Sequence, residues 1–460
     1  MSTTASLPVR LEALLGRNRV GATEDELRKF MIGGRIPSAV LKPRSAQEVA
    51  ETVRFAASEK LALVCCGSGS KLEIGMTPQR YELALGMAGL TEIAHYDPAD
   101  LTLSVDAGLP LKTLQMALKQ KGQFLPLGVP GGESATIGGT VVSGIDSTLR
   151  QQYGTARDFL IGAEFVDGTG QLCKSGGRVV KNVTGYDLHK LLISSLGTLA
   201  AVTRLNFRTF PLPETCARHL SSFSDAESAM NFRAALLSSG LPLSNLEVIS
   251  PEFSAVAAAC LKAANQSVPA SPSSSGWNVY AACEGHEAVV RRIARELESL
   301  TFAARAKKSE TLSASVGEAL DDFMREAYDH LISTSPSVVL ARIVLPNFTA
   351  NNAMEISRLA QGGSFRCAFA LRAWGVAYLA LLAEAEDAAT IEELSCAATI
   401  VFATVAQKRG TATLLHAPLA VKERVGFWSA KPPDFLLMQR LKAVFDPQTI
   451  FAPGRFAGGL

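Results

Sequence analysis

The sequence has little net charge and no long apolar run. Its 45 Lys and Arg residues and 43 Asp and Glu residues leave a formal charge of +2, so electrostatics favours neither nucleic acid nor an anionic membrane as a partner. No segment offers the roughly 18 to 20 consecutive apolar residues of a membrane-spanning helix. The first residues also lack the apolar core of a secretory signal. We therefore expect a cytoplasmic protein that does not insert directly into a membrane.

Cysteine and histidine are sparse and scattered. Of the eight cysteines only Cys65 and Cys66 are adjacent, and neither a CxxC pair nor a ferredoxin-type run occurs. This usage indicates reduced thiols and excludes an iron–sulfur cluster held by this chain. The six histidines are isolated from one another, and we expect no bound metal ion.

The chain is long enough for two or three domains, and its residue pattern changes near residue 213. Before this point strands and helices alternate, and glycines gather in the connections. After it, Ala-rich helices alternate with strands and Gly-rich loops become rare. The pattern predicts an α+β protein with an N-terminal extension (1–32), a first domain (33–213), a second α+β domain (214–430) and a C-terminal segment (431–460).

Local signals place several elements in the first domain. Ser45 and Glu48 have the spacing of a capping box before a helix, and LALVCCG is typical of a buried strand. FLIGAEFVDGTGQL predicts a hairpin around Asp167 and Gly168. A further helix is predicted after Tyr186, burying Leu188, Leu191 and Leu192.

The segment VCCGSGSKLEIG suggests a phosphate-binding loop after a strand. From Gly67 to Lys71, small residues expose successive backbone N–H groups that could bind phosphate. Leu72 stands in place of the third glycine of a GxGxxG fingerprint, and the Gly-Lys-Ser/Thr ending of a Walker A loop is missing. By itself the loop could equally be a tight turn after a strand.

A second glycine-rich segment, PGGESATIGGTVVSG, is followed by YGTARDF, and the third, GGRVVKNVTGYDLHKLLISSLGTLAAVT (176–203), comes after it. In PGGESATIGGTVVSG the backbone from Thr136 to Thr140 could lie against a flat ring system, because the glycines project nothing into it. In YGTARDF, Tyr153 and Gly154 form a turn, and Asp158 can cap it or bind backbone N–H groups. A Gly-rich turn within the core is the alternative interpretation.

Taken in order, GSGSK, ATIGGTVVSG, YGTARDF and KNVTGYDLHKLL resemble the FAD-binding domain shared by p-cresol methylhydroxylase, vanillyl-alcohol oxidase and the D-2-hydroxyacid dehydrogenases. GGRVVKNVTGYDLHKLL and the tail FDPQTIFAPGRF are most similar to the FAD-binding subunits of glycolate oxidases. Between them only VLARIVLP and FALRAWG are similar to the family. The resemblance implies an α+β fold: a PCMH-type (p-cresol methylhydroxylase-type) FAD-binding domain of two α/β subdomains, plus a second α+β cap domain with an antiparallel sheet. The C-terminal segment would return to the FAD domain.

The same resemblance implies FAD as the cofactor and a set of residues that bind it, and we expect this FAD to be bound non-covalently. The pyrophosphate would be bound by Gly67, Ser68, Gly69, Ser70 and Lys71. The pyrophosphate together with the flavin would be bound by Thr136, Ile137, Gly138, Gly139, Ser143 and Gly144. The ribityl and adenosine side would be bound by Tyr153, Gly154 and Asp158. The backbone of Val202 would meet the cofactor in the last strand. Ser194 and Ala200 stand where many relatives have glycine, so the last turn must accept side chains there.

Relatives that oxidise D-lactate or glycolate carry an HxH-type metal site and an HxGDGNxH segment, and neither string occurs in this chain. The remaining candidates for catalytic contacts are Arg342, Arg372 and His416. Each arginine lies on an apolar strand, where a buried guanidinium needs an anion. That anion could be a substrate carboxylate or the partner in a structural salt bridge. His416 lies in LLHAPLA, which could return toward the flavin.

Three functions are consistent with these observations. The chain could be the FAD-binding subunit of a glycolate oxidase, working with a catalytic FAD subunit and an iron–sulfur subunit and reaching a membrane only through them. It could instead be a stand-alone FAD-dependent dehydrogenase or oxidase of D-lactate or a related 2-hydroxy acid. The third alternative is a non-catalytic FAD-binding assembly subunit. The missing histidine strings favour the first.

The cysteines beside the glycine-rich segments bear on how FAD is attached. We interpret Cys65, Cys66 and Cys173 as structural thiols. We therefore expect acid or heat denaturation to release FAD into solution. Flavin fluorescence that stays with the denatured polypeptide on a gel would show a covalent bond instead.

Overall fold

The computed structural model describes residues 6–128, 132, 134–179, 185–263, 276–359, 363–372, 375–429 and 431–460, so 180–184 of the third glycine-rich segment lie outside the described residues. The helices are α1 (Leu7–Leu15), α2 (Glu24–Arg28), α3 (Ala46–Ser58), α4 (Leu111–Lys119), α5 (Ile137–Ser143), α6 (Arg150–Tyr153), α7 (Ala156–Phe159), α8 (Ala226–Ser238), α9 (Pro251–Ala263), α10 (Glu287–Ala303), α11 (Ala314–Arg325), α12 (Ala327–Ile332), α13 (Ala350–Leu359), α14 (Ala388–Gln407), α15 (Leu419–Val425) and α16 (Phe435–Phe445). The strands are β1 (Val20–Gly21), β2 (Ala39–Leu41), β3 (Leu63–Cys66), β4 (Leu83–Gly86), β5 (Ile93–Asp97), β6 (Thr102–Asp106), β7 (Gln123–Phe124), β8 (Leu160–Val166), β9 (Leu172–Gly176), β10 (Ala201–Arg208), β11 (Phe210–Pro211), β12 (Thr215–Phe223), β13 (Asn245–Ile249), β14 (Trp277–Gly285), β15 (Lys308–Thr311), β16 (Ser337–Val344), β17 (Phe365–Arg372), β18 (Val376–Ala383) and β19 (Thr411–His416).

The chain divides into two units. The first comprises Met1–Ile145, Thr155–Leu212 and Lys431–Leu460, and the second comprises Asp146–Gly154 and Pro213–Ala430. Residues 146–154 therefore pack with the second unit, although the sequence pattern placed them inside the first domain. The mixed helix and sheet content confirms the predicted α+β class.

The first unit contains two main sheets. In the four-stranded sheet, of order β1-β2-β4-β3, the strands β2, β4 and β3 run parallel. The five-stranded sheet, of order β5-β6-β10-β8-β9, is antiparallel. Leu11 and Leu15 of α1 are buried in the same core cluster as Val49 and Val53 of α3. The N-terminal residues thus contribute apolar area to the core of this unit.

Short-range predictions hold in much of this unit. Ser45 caps α3, because its side chain accepts a hydrogen bond from the Glu48 amide at 3.2 Å. The predicted hairpin forms between β8 and β9, and Asp167 Oδ1 accepts the amide of Thr169 at 2.9 Å within its turn. The left-handed glycine of this turn is Gly170, with φ of 82°. Gly168 must therefore be explained by something other than its backbone angle.

The helix predicted after Tyr186 is wrong. The chain makes only a 3-10 turn at Leu188–Leu191, and Leu188 is 38% exposed. The backbone then enters the left-handed region at Ser194, with φ of 61°, which no α-helix can continue through. Apolar spacing alone could not reveal this break, because it is imposed by packing against α5.

The C-terminal segment is part of the core of the first unit. Phe451 and Ala452 have no exposed surface. The amide of Leu63 in β3 donates to the Ile450 carbonyl at 2.8 Å, and the Ala452 amide donates to the Leu63 carbonyl at 2.8 Å. The tail therefore extends along the edge of β3, directly before the first glycine-rich loop.

The second unit is built on an eight-stranded antiparallel sheet of order β15-β12-β14-β13-β17-β18-β16-β19, which confirms the predicted antiparallel sheet. Strand β18 is buried at every residue. Helix α14 packs against β16, β19 and α15.

Within the part of the chain that the structure describes, α14 alone is long and apolar enough to cross a bilayer. Its best window has a mean hydropathy of 1.4, and 44% of that window is buried. Leu394, Val401 and Val405 of this helix have no exposed surface. The same length and composition also occur in core helices of soluble proteins.

Gly168 provides a test of how the tail is seated. Its amide donates to the Phe445 carbonyl at 2.7 Å, and a Cβ there would lie 2.6 Å from the Asp446 Cα. We expect Gly168→Ala to lower the free energy of unfolding by roughly 1–3 kcal/mol through overpacking. Gly177→Ala is the matched control, because its Cβ would meet nothing within 4 Å. Equal denaturation midpoints for the two variants would contradict close packing of Gly168 against Asp446 of the tail.

Candidate functional site

A cavity in the first unit lies where the loop after β3 meets α5. It has an empty volume of about 480 Å³. Residues of the first two glycine-rich segments, the 194–197 turn and the tail line it: Val64, Cys65, Cys66, Gly67, Ser68, Gly69, Ser70, Lys71, Leu72, Thr136, Gly139, Val142, Ser143, Leu196 and Arg455. The structure thus brings the predicted loop Gly67–Lys71 together with Thr136, Gly139 and Ser143.

Close backbone approach explains why glycines occur in this wall. A Cβ at Gly67 would lie 2.0 Å from Thr136 Oγ1, so any side chain would push the first loop away from α5. Thr136 is needed at that place because it caps α5, its side chain accepting the Gly139 amide at 3.3 Å. A Cβ at Gly138 would lie 2.8 Å from the Ala107 carbonyl oxygen. These glycines therefore permit contacts between neighbouring segments.

A second cavity of about 340 Å³ shares much of the same wall. Its lining includes Gly197 and Ala200 of the third glycine-rich segment and Val202 of the last strand. The full lining is Cys65, Cys66, Gly67, Met87, Ala107, Thr136, Gly138, Gly139, Val142, Gly197, Ala200 and Val202. Val202 lies at this wall, and its contact with the cofactor stays a prediction. Of the predicted set, Ile137 is fully buried in α5, and Gly144 ends this helix in the left-handed region with φ of 64°.

The turn at 194–197 packs against the end of α5. The Ser194 amide donates to the Val141 carbonyl at 3.1 Å, and the Leu196 amide donates to the Val142 carbonyl at 2.8 Å. A Cβ at Gly144 would lie 1.8 Å from Ser194 Oγ. Glycine at 144 therefore makes room for the serine that stands where many relatives have glycine.

Arg455 is a residue of this site that sequence reasoning missed. It is 3% exposed and lines the first cavity. Its Nη2 donates to the carbonyls of Leu72 and Ile74, and its Nη1 donates to the Met76 carbonyl at 3.4 Å. Burial lowers the pKa of this guanidinium to about 10, so it remains charged at neutral pH. The signal available in the sequence was an arginine within an otherwise apolar, Gly- and Pro-bearing tail.

The donors of this wall fit a dinucleotide. The amides of Ser68, Gly69 and Ser70 donate to no other group among the described residues, and Arg455 adds a buried positive charge nearby. Backbone N–H groups and a cation are the partners that a pyrophosphate requires. Gly138, Gly139 and Val202 line the adjoining cavity.

The cysteines in this wall are poor nucleophiles. Burial raises the pKa of the Cys66 thiol to about 12 and holds that of the Cys65 thiol well above its ordinary value. Both thiols are therefore protonated at neutral pH, whereas attack on a flavin requires a thiolate. All eight cysteines are free.

Three residues predicted for the adenosine side have other contacts. Tyr153 belongs to the second unit, where its hydroxyl donates to Glu284 Oε1 at 2.6 Å. Gly154 ends α6 with φ of 77°. Asp158 forms a capping box at the start of α7, accepting the Thr155 amide at 2.7 Å. None of the three lines either cavity described above, and their role toward FAD stays a prediction.

Arg372 in the second unit is surrounded by acceptors. Its Nε donates to Glu247 Oε1 at 3.2 Å, and its Nη1 donates to the Asp146 carbonyl at 2.7 Å. Its Nη2 donates to the Met324 carbonyl at 3.2 Å. The guanidinium also lies 4.6 Å from the ring centroid of Tyr378. All three guanidinium nitrogens therefore have protein acceptors, and Nη1 joins the 146–154 segment to the sheet.

Arg342 lies on the other side of Tyr378, its cross-strand neighbour. Its Nη1 is 3.8 Å from Asp146 Oδ2, and its side chain is 25% exposed. The two arginines therefore flank one tyrosine and share Asp146. His416 ends β19 opposite Leu340. Of these three candidates, Arg342 combines a long ion pair with partial exposure.

Comparison with known proteins agrees with this architecture. Residues 37–176 match the family model described as FAD binding domain. Residues 212–456 match the model described as FAD linked oxidases, C-terminal domain. The second match alone covers more than half of the chain.

Similar curated proteins include three oxidoreductases or their subunits. Glycolate oxidase subunit GlcD of Bacillus subtilis is 25% identical over 428 residues, covering 91% of this chain and 89% of that protein. Glycolate oxidase subunit GlcE of Escherichia coli is 37% identical over 171 residues, 36% of this chain and 48% of that protein. D-lactate dehydrogenase of Archaeoglobus fulgidus is 32% identical over 192 residues, 42% of this chain and 43% of that protein.

Solved structures confirm the PCMH-type fold. A p-cresol methylhydroxylase with bound substrate superimposes with a TM-score of 0.78 at 16% identity, covering 97% of this chain and 95% of that one. The 4-ethylphenol oxidase from Gulosibacter chungangensis superimposes with a TM-score of 0.75 at 15% identity, covering 99% and 98%. The chain belongs to the FAD-linked oxidases, with FAD as its cofactor, and is an FAD-dependent oxidoreductase of the glycolate oxidase and D-lactate dehydrogenase family that acts on CH–OH groups.

Proposed function

We propose that this chain is the FAD-binding subunit of a glycolate oxidase complex. It would take part in oxidising glycolate to glyoxylate, with a catalytic FAD subunit and an iron–sulfur subunit as partners. The supporting observation is similarity along 91% of the chain to a glycolate oxidase subunit, combined with a cavity wall suited to FAD. The absence of the HxH and HxGDGNxH strings supports a division of work between subunits. We place the complex in the cytoplasm, with any membrane association made by a partner.

The chemistry limits what this chain must supply. Conversion of glycolate to glyoxylate removes two electrons and two protons from the alcohol carbon and its hydroxyl, and bound FAD supplies the electron acceptor. The polypeptide must hold the cofactor and, where substrate binds to this chain, fix its carboxylate. We propose Arg342 for the second role, because its side chain is 25% exposed and its ion pair with Asp146 is long, at 3.8 Å, whereas Arg372 is buried against Glu247 and two carbonyls.

Two alternatives remain open. A stand-alone dehydrogenase of D-lactate or a related 2-hydroxy acid is favoured by the similarity to the archaeal D-lactate dehydrogenase, which extends over 43% of that protein. A non-catalytic FAD-binding assembly subunit is consistent with the lack of an assigned base.

Anaerobic mixing separates these functions. The purified, FAD-loaded chain is combined with glycolate or D-lactate, and the visible absorbance of the flavin is followed. We expect no prompt bleaching by the chain alone and prompt bleaching after the partner subunits are co-expressed with it. Prompt bleaching by a preparation free of partners would overturn the subunit proposal and support a stand-alone enzyme. A flavin that stays oxidised in the complete active complex would indicate the assembly role.

The two arginines give contrasting expectations. In the active complex we expect Arg342→Met to raise KM for glycolate by ~10- to 100-fold, as for loss of one charged hydrogen bond, with little change in melting temperature. Arg342→Lys should recover part of the loss. Arg372→Met should instead destabilise the protein by roughly 3–5 kcal/mol, because Glu247 would be left buried without its partner. An unchanged KM for Arg342→Met would remove this residue from substrate binding.

A further inference from the structure

A buried ion pair joins the tail to the third glycine-rich segment. Lys442 of α16 is 5% exposed, and Asp446 has no exposed surface. Lys442 Nζ donates to Asp446 Oδ2 at 2.7 Å, to the Thr198 carbonyl at 2.6 Å and to the Phe451 carbonyl at 2.8 Å. The ammonium has three donors, and each is used.

Asp446 is equally well satisfied. Its Oδ1 accepts the Ile450 amide at 3.0 Å, and its Oδ2 accepts the Phe451 amide at 2.8 Å besides the ammonium of Lys442. A buried pair of opposite charges contributes little net stability by itself, and its best-attested use is to specify one arrangement of the chain. The arrangement specified here is that of the two backbone turns it contacts.

Both turns are strained. Ser194 and Leu196 have φ of 61° and 53°, and Thr449 and Ala452 in the tail have φ of 52° and 43°. L-residues occupy this region only where surrounding contacts impose it. The Thr198 and Phe451 carbonyls, which Lys442 binds, lie just after the first strained turn and inside the second.

The strained residues lie against the cofactor cavities. Leu196 lines the first cavity and Gly197 the second. A Cβ at Gly197 would lie 3.5 Å from the Cys65 Cβ, and the Ala452 amide donates to the Leu63 carbonyl of the same strand. A shift of either turn would therefore move the wall on which FAD rests.

We propose that Lys442 and Asp446 are positioning residues that hold the 194–197 turn in its left-handed conformation and thereby set the affinity and environment of FAD. Neither residue lines the cavities. The inference depends on FAD as the cofactor and is independent of the substrate and of any partner subunit.

The test measures FAD binding to the full-length apoprotein by quenching of flavin fluorescence. We expect Lys442→Met to raise the Kd for FAD at least ~10-fold and to change the visible circular dichroism of the bound flavin, since a displaced wall alters its environment. Arg440→Met is the matched control on the exposed side of the same helix, and it should keep the wild-type Kd and spectrum.

Ser194→Gly distinguishes positioning from general destabilisation. Ser194 is exposed and strained, and glycine adopts its backbone angle without steric strain. We expect Ser194→Gly to change the wild-type Kd by less than about 2-fold yet to improve FAD binding by Lys442→Met at least ~5-fold. Equal effects of Ser194→Gly in both backgrounds, or a wild-type Kd and spectrum for Lys442→Met, would overturn the proposal. If Lys442→Met does not fold, Lys442→Gln is read by the same two criteria.

Discussion

Two buried cations on the C-terminal segment constrain the flavin-binding unit. Lys442 and Arg455 both lie below the surface and donate to main-chain carbonyls, Lys442 to Thr198 and Phe451 and Arg455 to the loop at 72–76. Removing these charges from water is costly, and the cost is offset only while every donor keeps its acceptor. The turns and loops that supply the carbonyls are therefore held to one conformation, and they form the walls of the cavities.

The glycines of the wall follow from the same crowding. Gly67 approaches Thr136 and Gly138 approaches Ala107, each at a distance that excludes a side chain, and outside the wall Gly168 approaches Asp446 in the same way. Glycine costs conformational entropy on folding, so its concentration here reflects close contact between segments distant in sequence. The cofactor wall results from packing strand, helix and tail together, with backbone amides left to face the ligand.

The second unit illustrates how similar residues acquire different roles. Arg342 and Arg372 both lie on apolar strands and flank Tyr378, and the sequence left a substrate anion or a structural ion pair open for each. The structure pairs Arg372 with Glu247 and with the carbonyl of Asp146, while Arg342 keeps partial exposure. The sheet register, which the sequence does not display, determines this difference.

The sequence alone determined the features that depend on neighbouring residues: the cap at Ser45, the β8–β9 hairpin and the α+β class. The order of its glycine-rich motifs also determined the FAD-binding family and the residues of the first loop and of α5 that line the cavity. Tertiary structure alone decided the roles of Lys442, Arg455 and Gly168. It also replaced the helix predicted after Tyr186 by a 3-10 turn and placed 146–154 with the second unit. The physical reason is that segments distant in sequence decide whether a charge is buried, whether a residue adopts a left-handed conformation and whether two backbones come into close contact. The local spacing of residue types does not contain this information.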